Sequence, residues 1–216
     1  MFTAYKKFTL TLVDLVNAPR GVTYDQYRDR LLLKVEQQQQ FIDTARWVVE
    51  RQLALGTFGE LSLRLSAHQL AITRRDSHLA WLTKTDIVTC STLSGKPNRA
   101  ASRHLDWHRL IYRETSAQAV LFCQPKYALT LANAARLPQP QAMPEVEQLL
   151  GRISLHPPAE PTEESLAEAG PQHEVLLLPH RGALIWGDSL AHVLARAETL
   201  DYISHMTALS FNGCVK

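Results

Sequence analysis

Two histidines, His104 and His108, lie four residues apart in a stretch with helical patterning. On a helix that spacing puts both imidazoles on one face, where they could hold a metal ion or pass a proton. The intervening Leu105-Asp106-Trp107 does not spell H-E-x-x-H, and structural or surface roles compete with a metal pair. Arg74-Arg75, with Arg99 and Arg103 further along, could gather an anion, although loop arginines are more often simply solvated. Cys123 closes the apolar run Ala119 to Cys123, which makes it a core thiol rather than a nucleophile. Gly95-Lys96 lacks the rest of a phosphate-cradling loop.

The elements that must carry these residues follow from hydrophobic periodicity. Ile42, Ala45, Val49 and Leu53 recur at helical spacing and predict a helix over 35–55, with Gln37 to Gln40 in its polar first turns and Gly56 as its stop. Leu61 to Leu65 alternates strictly, and a turn at 66–68 leads into a second strand, Gln69 to Thr73. Ile87-Val88-Thr89 reads as a strand, 94–100 as a loop and 104–114 as a short amphipathic helix. Ala119 to Cys123 is a buried strand. Pro125 opens the next helix, with Tyr127, Leu131 and Ala134 on one face. Residues 137–173 hold most of the prolines. They predict a loop-rich connection with a helix near 145–150 and a second at 162–169, where Ser165 is too weak to complete a capping box with Thr162. Val175 to Leu178 and Ala183 to Trp186 form a strand pair. Asp188 is the N-cap of a long C-terminal helix with Leu190, Val193, Leu194, Ala197, Leu200 and Ile203 inward. Residues 1–34 stand apart as an N-terminal extension, with a strand pattern at Phe8 to Leu12 and a helical stretch from Tyr24 to Leu33. Residues 35–216 are expected to form one α/β domain, a mixed or antiparallel sheet covered by helices.

Composition narrows the class. The chain has 216 residues, 45% hydrophobic and 20% charged, as expected of a globular domain with its own core. A net charge of +2 with interleaved signs gives no electrostatic reason to expect a nucleic-acid partner. No apolar run approaches the ~18 residues of a membrane span. Three cysteines without a C-x-x-C pair, and no secretory leader, fit a cytoplasmic protein.

Several short motifs, in order, resemble the class II aldolase/adducin family over about residues 41–208. Gly59-Glu60-Leu61-Ser62-Leu63-Arg64 is similar to the family's G-N-x-S-x-R. Leu70 to Thr73 resembles its "fLIT" strand, and Leu82 to Val88 its "L-t-x-e-D-l-v". His108 to Tyr112 resembles "H-x-x-I-Y", and Ala119-Val120-Leu121 the strand that leads into H-x-H. Gly182 to Gly187, with Glu198 to Leu200, resembles "H-G-x-x-x-x-G … a-E-x-l-E".

The resemblance implies a divalent metal held by three histidines, a glutamate that moves a proton, and a Gly-Asn turn that holds phosphate. Residue by residue, this chain departs from that set. The metal ligands fall on Phe122, Gln124 and Arg181, and the glutamate on His104. The phosphate-turn asparagine is Glu60, and the serines before the glutamate are Ser102 and Arg103. A phenyl ring offers no donor, an amide is a poor ligand, and a guanidinium repels a dication. The expected cleft therefore comprises Glu60, Ser102, Arg103, Gln124, His180 and Arg181, with His104 as its catalytic candidate and no metal or other cofactor. His180, beside the lost third ligand, is the one further candidate for a relocated metal.

Two classes of function stay open. One is a non-catalytic binding or scaffold module, in which Arg181 pairs with Glu60 or another acid and plugs the old cleft, or else holds a small carboxylate or phosphate. The other is a repurposed enzyme doing lyase- or isomerase-type acid–base chemistry on a small oxygenated metabolite. The resemblance implies a homo-oligomer, a tetramer in the family. The extension, with Phe2, Tyr5, Phe8 and Leu12, is either a surface for a neighbouring subunit or partner, or an extra element on the same subunit.

Overall fold

The computed structural model describes residues 33–93, 98–139, 143–157, 161–162, 164–165 and 173–213. The sequence readings for residues 1–32 and 94–97, and most of those for 162–169, lie outside the described residues.

Helix α1 (Val35–Glu50) leads into β1 (Glu60–Ser66), β2 (Gln69–Thr73) and, after two 3-10 turns, β3 (Ile87–Ser91). Then come α2 (Leu105–Glu114), β4 (Ala119–Cys123), α3 (Lys126–Asn133), α4 (Pro144–Leu150) and β5 (Arg152–Leu155). The hairpin of β6 (His173–Leu178) and β7 (Gly182–Gly187) precedes the long α5 (Leu190–Gly213). The strands make one seven-stranded sheet in the order β3-β2-β1-β4-β7-β6-β5. Every neighbouring pair is antiparallel except β5 with β6.

Alternation along the strands divides the core in two. Ala119, Leu121 and Cys123 of β4, with Ala183 and Ile185 of β7, pack under α1, α3, α4 and α5. Val120 and Phe122, with Leu184 and Trp186, face the other way, against Leu105, Trp107, Leu110 and Ile111 of α2. Glu60 pairs in register with Phe122, and Ser62 with Val120, so these two polar residues of β1 lie on the α2 side. That parity places the site.

Several local expectations are corrected. Helix α1 ends at Glu50, and the chain turns at Gln52, whose φ of +58° is left-handed, so Leu53 reaches the core beyond the helix. Gly56 only shapes the following loop. Ser189 rather than Asp188 caps α5: its Oγ accepts from the His192 N–H and its carbonyl from the Val193 N–H, each at 3.1 Å. Leu131 is buried as expected, but Ala134 is exposed, and α3 buries Ala128 and Ala132 beside Leu131. Thr162 and Ser165 do bond reciprocally, the Ser165 hydroxyl accepting from the Thr162 N–H at 2.8 Å and the Thr162 hydroxyl from the Ser165 N–H at 3.2 Å. Strand β5 was not expected.

Candidate functional site

Residues on β1 and α2 interlock through their periodicities. Glu60, Ser62 and Arg64 share one face of β1. His104, His108 and Tyr112 recur every fourth residue along α2 and come down onto them. His104 Nδ1 lies 2.9 Å from Glu60 Oε1, and the His104 backbone N–H donates to Glu60 Oε2 at 3.3 Å. His108 Nε2 stands 3.6 Å from that same Oε2, and its Nδ1 is 2.7 Å from the Ser62 hydroxyl. The Ser62 hydroxyl is 2.8 Å from the Tyr112 phenol. Arg64 closes the row with its guanidinium over the Tyr112 ring and hydrogen bonds to the carbonyls of Tyr112, Thr115 and Ala117.

The chemistry of these groups follows from their burial. Glu60 is only 7% exposed. Burial alone would push its carboxyl up, but the hydrogen bond from His104, with the His108 imidazole 3.6 Å away, outweighs that and holds it at about 2. The carboxylate is therefore ionised at any ordinary pH. Burial pushes the Tyr112 phenol up, so it remains a protonated donor. Burial likewise pushes the Cys123 thiol up, in keeping with a core thiol and not a nucleophile.

Above this row opens a cleft of about 440 Å³, bounded by Phe58, Glu60, His104, Phe122, Gln124, Leu129 and His180, with Asp76, Arg103 and Arg181 contributing charge at its walls. The His104 ring stacks on Trp107 at 4.0 Å between centroids and meets Phe122 at 4.9 Å. The Arg181 guanidinium lies 5.6 Å over the Trp107 ring. His180 takes a left-handed φ of +61°, with its N–H bonded to Asn133 Oδ1 at 2.6 Å. This tight turn between β6 and β7 delivers Arg181 to the cleft.

The structure thus brings Glu60, Arg103, His104, Gln124, His180 and Arg181 together. Ser102 goes elsewhere: buried, it exchanges hydrogen bonds with Thr73 at 2.7 Å. Glu60 pairs with His104 and not, as one expectation had it, with Arg181. Arg74 and Arg103 pair with Asp86 and Asp76, and Arg75 reaches the Ala101 carbonyl, which disperses the suggested anion patch. Sequence reasoning missed the roles of Trp107, Ser62 and Tyr112. The four-residue spacing from His104 through His108 to Tyr112 was the available signal.

A metal is the cofactor that the resemblance implies, and the side chains at the three relevant positions do not fit one. Phe122 has no donor. The Gln124 amide nitrogen is committed to the Phe58 carbonyl at 3.1 Å, and Arg181 brings a fixed positive charge. Among the described residues no three His, Cys, Asp or Glu side chains gather in a geometry that could hold an ion.

A single mixed sheet, with helices against both faces and a polar cleft at the ends of β4 and β7, defines an aldolase-type α/β domain. The chain belongs to the family of the Class II Aldolase and Adducin N-terminal domain, whose model matches residues 39–208. Its fold is similar to that of L-fuculose-1-phosphate aldolase from Thermus thermophilus, with a TM-score of 0.70 and 22% identity over 83% of this chain and 97% of that one. A sugar-phosphate aldolase from Thermotoga maritima gives a TM-score of 0.71 at 18% identity, over 84% and 98%. YgbL from Escherichia coli gives 0.67 at 23%, over 82% and 91%. No curated protein matches the chain in sequence.

Proposed function

We propose that this chain is a member of its family that binds a small organic anion in the cleft and does not run metal-dependent aldol chemistry. One observation carries the reading. The position that the resemblance gives to the third metal ligand is Arg181, and its guanidinium lines an open cleft over the Trp107 ring. A guanidinium fork recognises a carboxylate or phosphate through two parallel hydrogen bonds. Phe58, Phe122 and Leu129 supply apolar wall for a short carbon skeleton. In its simplest form this is a binding module on an aldolase scaffold, assembled as a homo-oligomer after the manner of the family.

The test is thermal stability against a panel of short carboxylates and sugar phosphates at 10 mM. A ligand with a Kd near 0.1 mM would add roughly 2.7 kcal/mol, or about 5–10 °C for a chain of this size. The expected result is a rise with at least one short carboxylate that disappears in Arg181→Gln. No rise with any compound would contradict the reading.

A further inference from the structure

One polar contact in the cleft joins a buried acid to an imidazole, and the binding reading alone has no use for it. A carboxylate oxygen only accepts hydrogen bonds, so the proton in the 2.9 Å contact between His104 and Glu60 sits on His104 Nδ1. A neutral imidazole held in that tautomer keeps its lone pair on Nε2. Among the described residues, Nε2 has no hydrogen-bond partner. The ring lines the cleft with its side chain 30% exposed, clamped by Trp107 and Phe122. Glu60 is fixed in turn by the His104 backbone N–H, with the His108 imidazole 3.6 Å away and itself held by Ser62, which also meets Tyr112. Burying a carboxylate is costly, and a hydrophobic residue on β1 would serve folding better. An oriented imidazole on a buried carboxylate, at the wall of an anion-binding cleft, has the geometry of a general base.

We propose that His104 is the proton-transfer residue of this cleft, oriented by Glu60, and that it acts on a short 2-oxo carboxylate anchored at Arg181. The assignment rests on the anion-binding reading for its substrate class. The guanidinium carries five N–H donors, enough to take a carboxylate and the adjacent oxo oxygen together. His104 Nε2 takes a proton from the carbon next to the oxo group. The C–H bond breaks, an N–H bond forms, and the freed electron pair moves through the new C–C double bond onto the oxo oxygen as an enolate beside Arg181. Return of a proton from Nε2 to carbon restores the starting compound. In D2O the returning nucleus is deuterium, so turnover is visible without a second substrate.

Pyruvate in D2O is the probe, followed by loss of its methyl proton signal in NMR with excess chelator present. The full chain should accelerate the exchange. His104→Asn, whose amide can still donate to Glu60 and so keep the local fold, should lower the rate about 100-fold or more. Glu60→Gln should lower kcat while leaving KM for pyruvate within about two-fold, as a positioning residue should, whereas Arg181→Gln should raise KM. No acceleration by the wild-type chain, or undiminished exchange by His104→Asn, overturns the assignment. If pyruvate raises the melting temperature through Arg181 but exchange is not accelerated, the base assignment falls and the anion cleft stands. If exchange depends on His104 but Arg181→Gln leaves KM unchanged, the anion cleft falls and the base assignment stands.

Discussion

Glu60 is the residue on which the site turns, because a buried carboxylate must be paired and here two imidazoles do the pairing. Its carboxyl is held below the ordinary value of 4.5, at about 2. A depressed acid contributes stability that is complete above the unfolded value and is lost as pH falls through the folded one. Acid denaturation should therefore steepen between about pH 4.5 and pH 2, with at most about 3 kcal/mol belonging to this group. The difference in stability between wild type and Glu60→Gln, followed by denaturant titration at several pH values, should shrink across that window. A constant difference would show that the carboxylate gains nothing from its partners. Ser62→Ala would leave His108 Nδ1 and the Tyr112 phenol without their shared partner, at a cost of about 1–3 kcal/mol, read from the shift in denaturant midpoint.

At the scale of elements, two devices hold the residues over the cleft: the in-register pairing of β1 with β4, and the turn from β6 into β7. Gly182 begins β7 with a φ of +152°, and a Cβ there would stand 2.3 Å from the Cys123 carbonyl oxygen. Gly182→Ala should cost about 2–4 kcal/mol of stability, since the obstacle is backbone. Thermal denaturation checks it, and an unchanged midpoint would contradict the geometry. Strands β2 and β4 were legible to the residue, because alternation or an unbroken apolar run leaves no competing period. Strand β5 was not legible, being four residues inside a proline-rich stretch with a single parallel neighbour. The C-terminal helix was legible but its cap was not, since Asp188 and Ser189 are adjacent and both good caps. Charge reasoning alone matched Glu60 with Arg181. The parity of β1 and the fourth-residue rhythm of α2 decide for His104 instead.

For the whole molecule, the sheet separates two cores. The larger holds α1, α3, α4 and α5, and the smaller is closed by α2, whose first residues border the cleft. No helix among the described residues is long and apolar enough to cross a membrane. Light scattering on the purified full chain should report more than one copy per particle, and a clean monomer would refute the oligomer inferred from family resemblance. The order of motifs made the family legible over most of the chain. The cleft was only half legible, because residue identities place Phe122, Gln124 and Arg181 at its wall but do not reveal the hydrogen bonds among Glu60, His104, Ser62 and His108.

The proposed function depends on Phe122, Gln124 and Arg181 standing at the positions that the resemblance gives to metal ligands. Calorimetric titration of zinc into chelator-stripped protein tests it most directly. The expected result is no saturable, stoichiometric uptake with a Kd below about 1 μM that responds to substitution at Gln124, His180 or His104. One zinc per chain, bound tightly and lost in His180→Ala or Gln124→Ala, would contradict it.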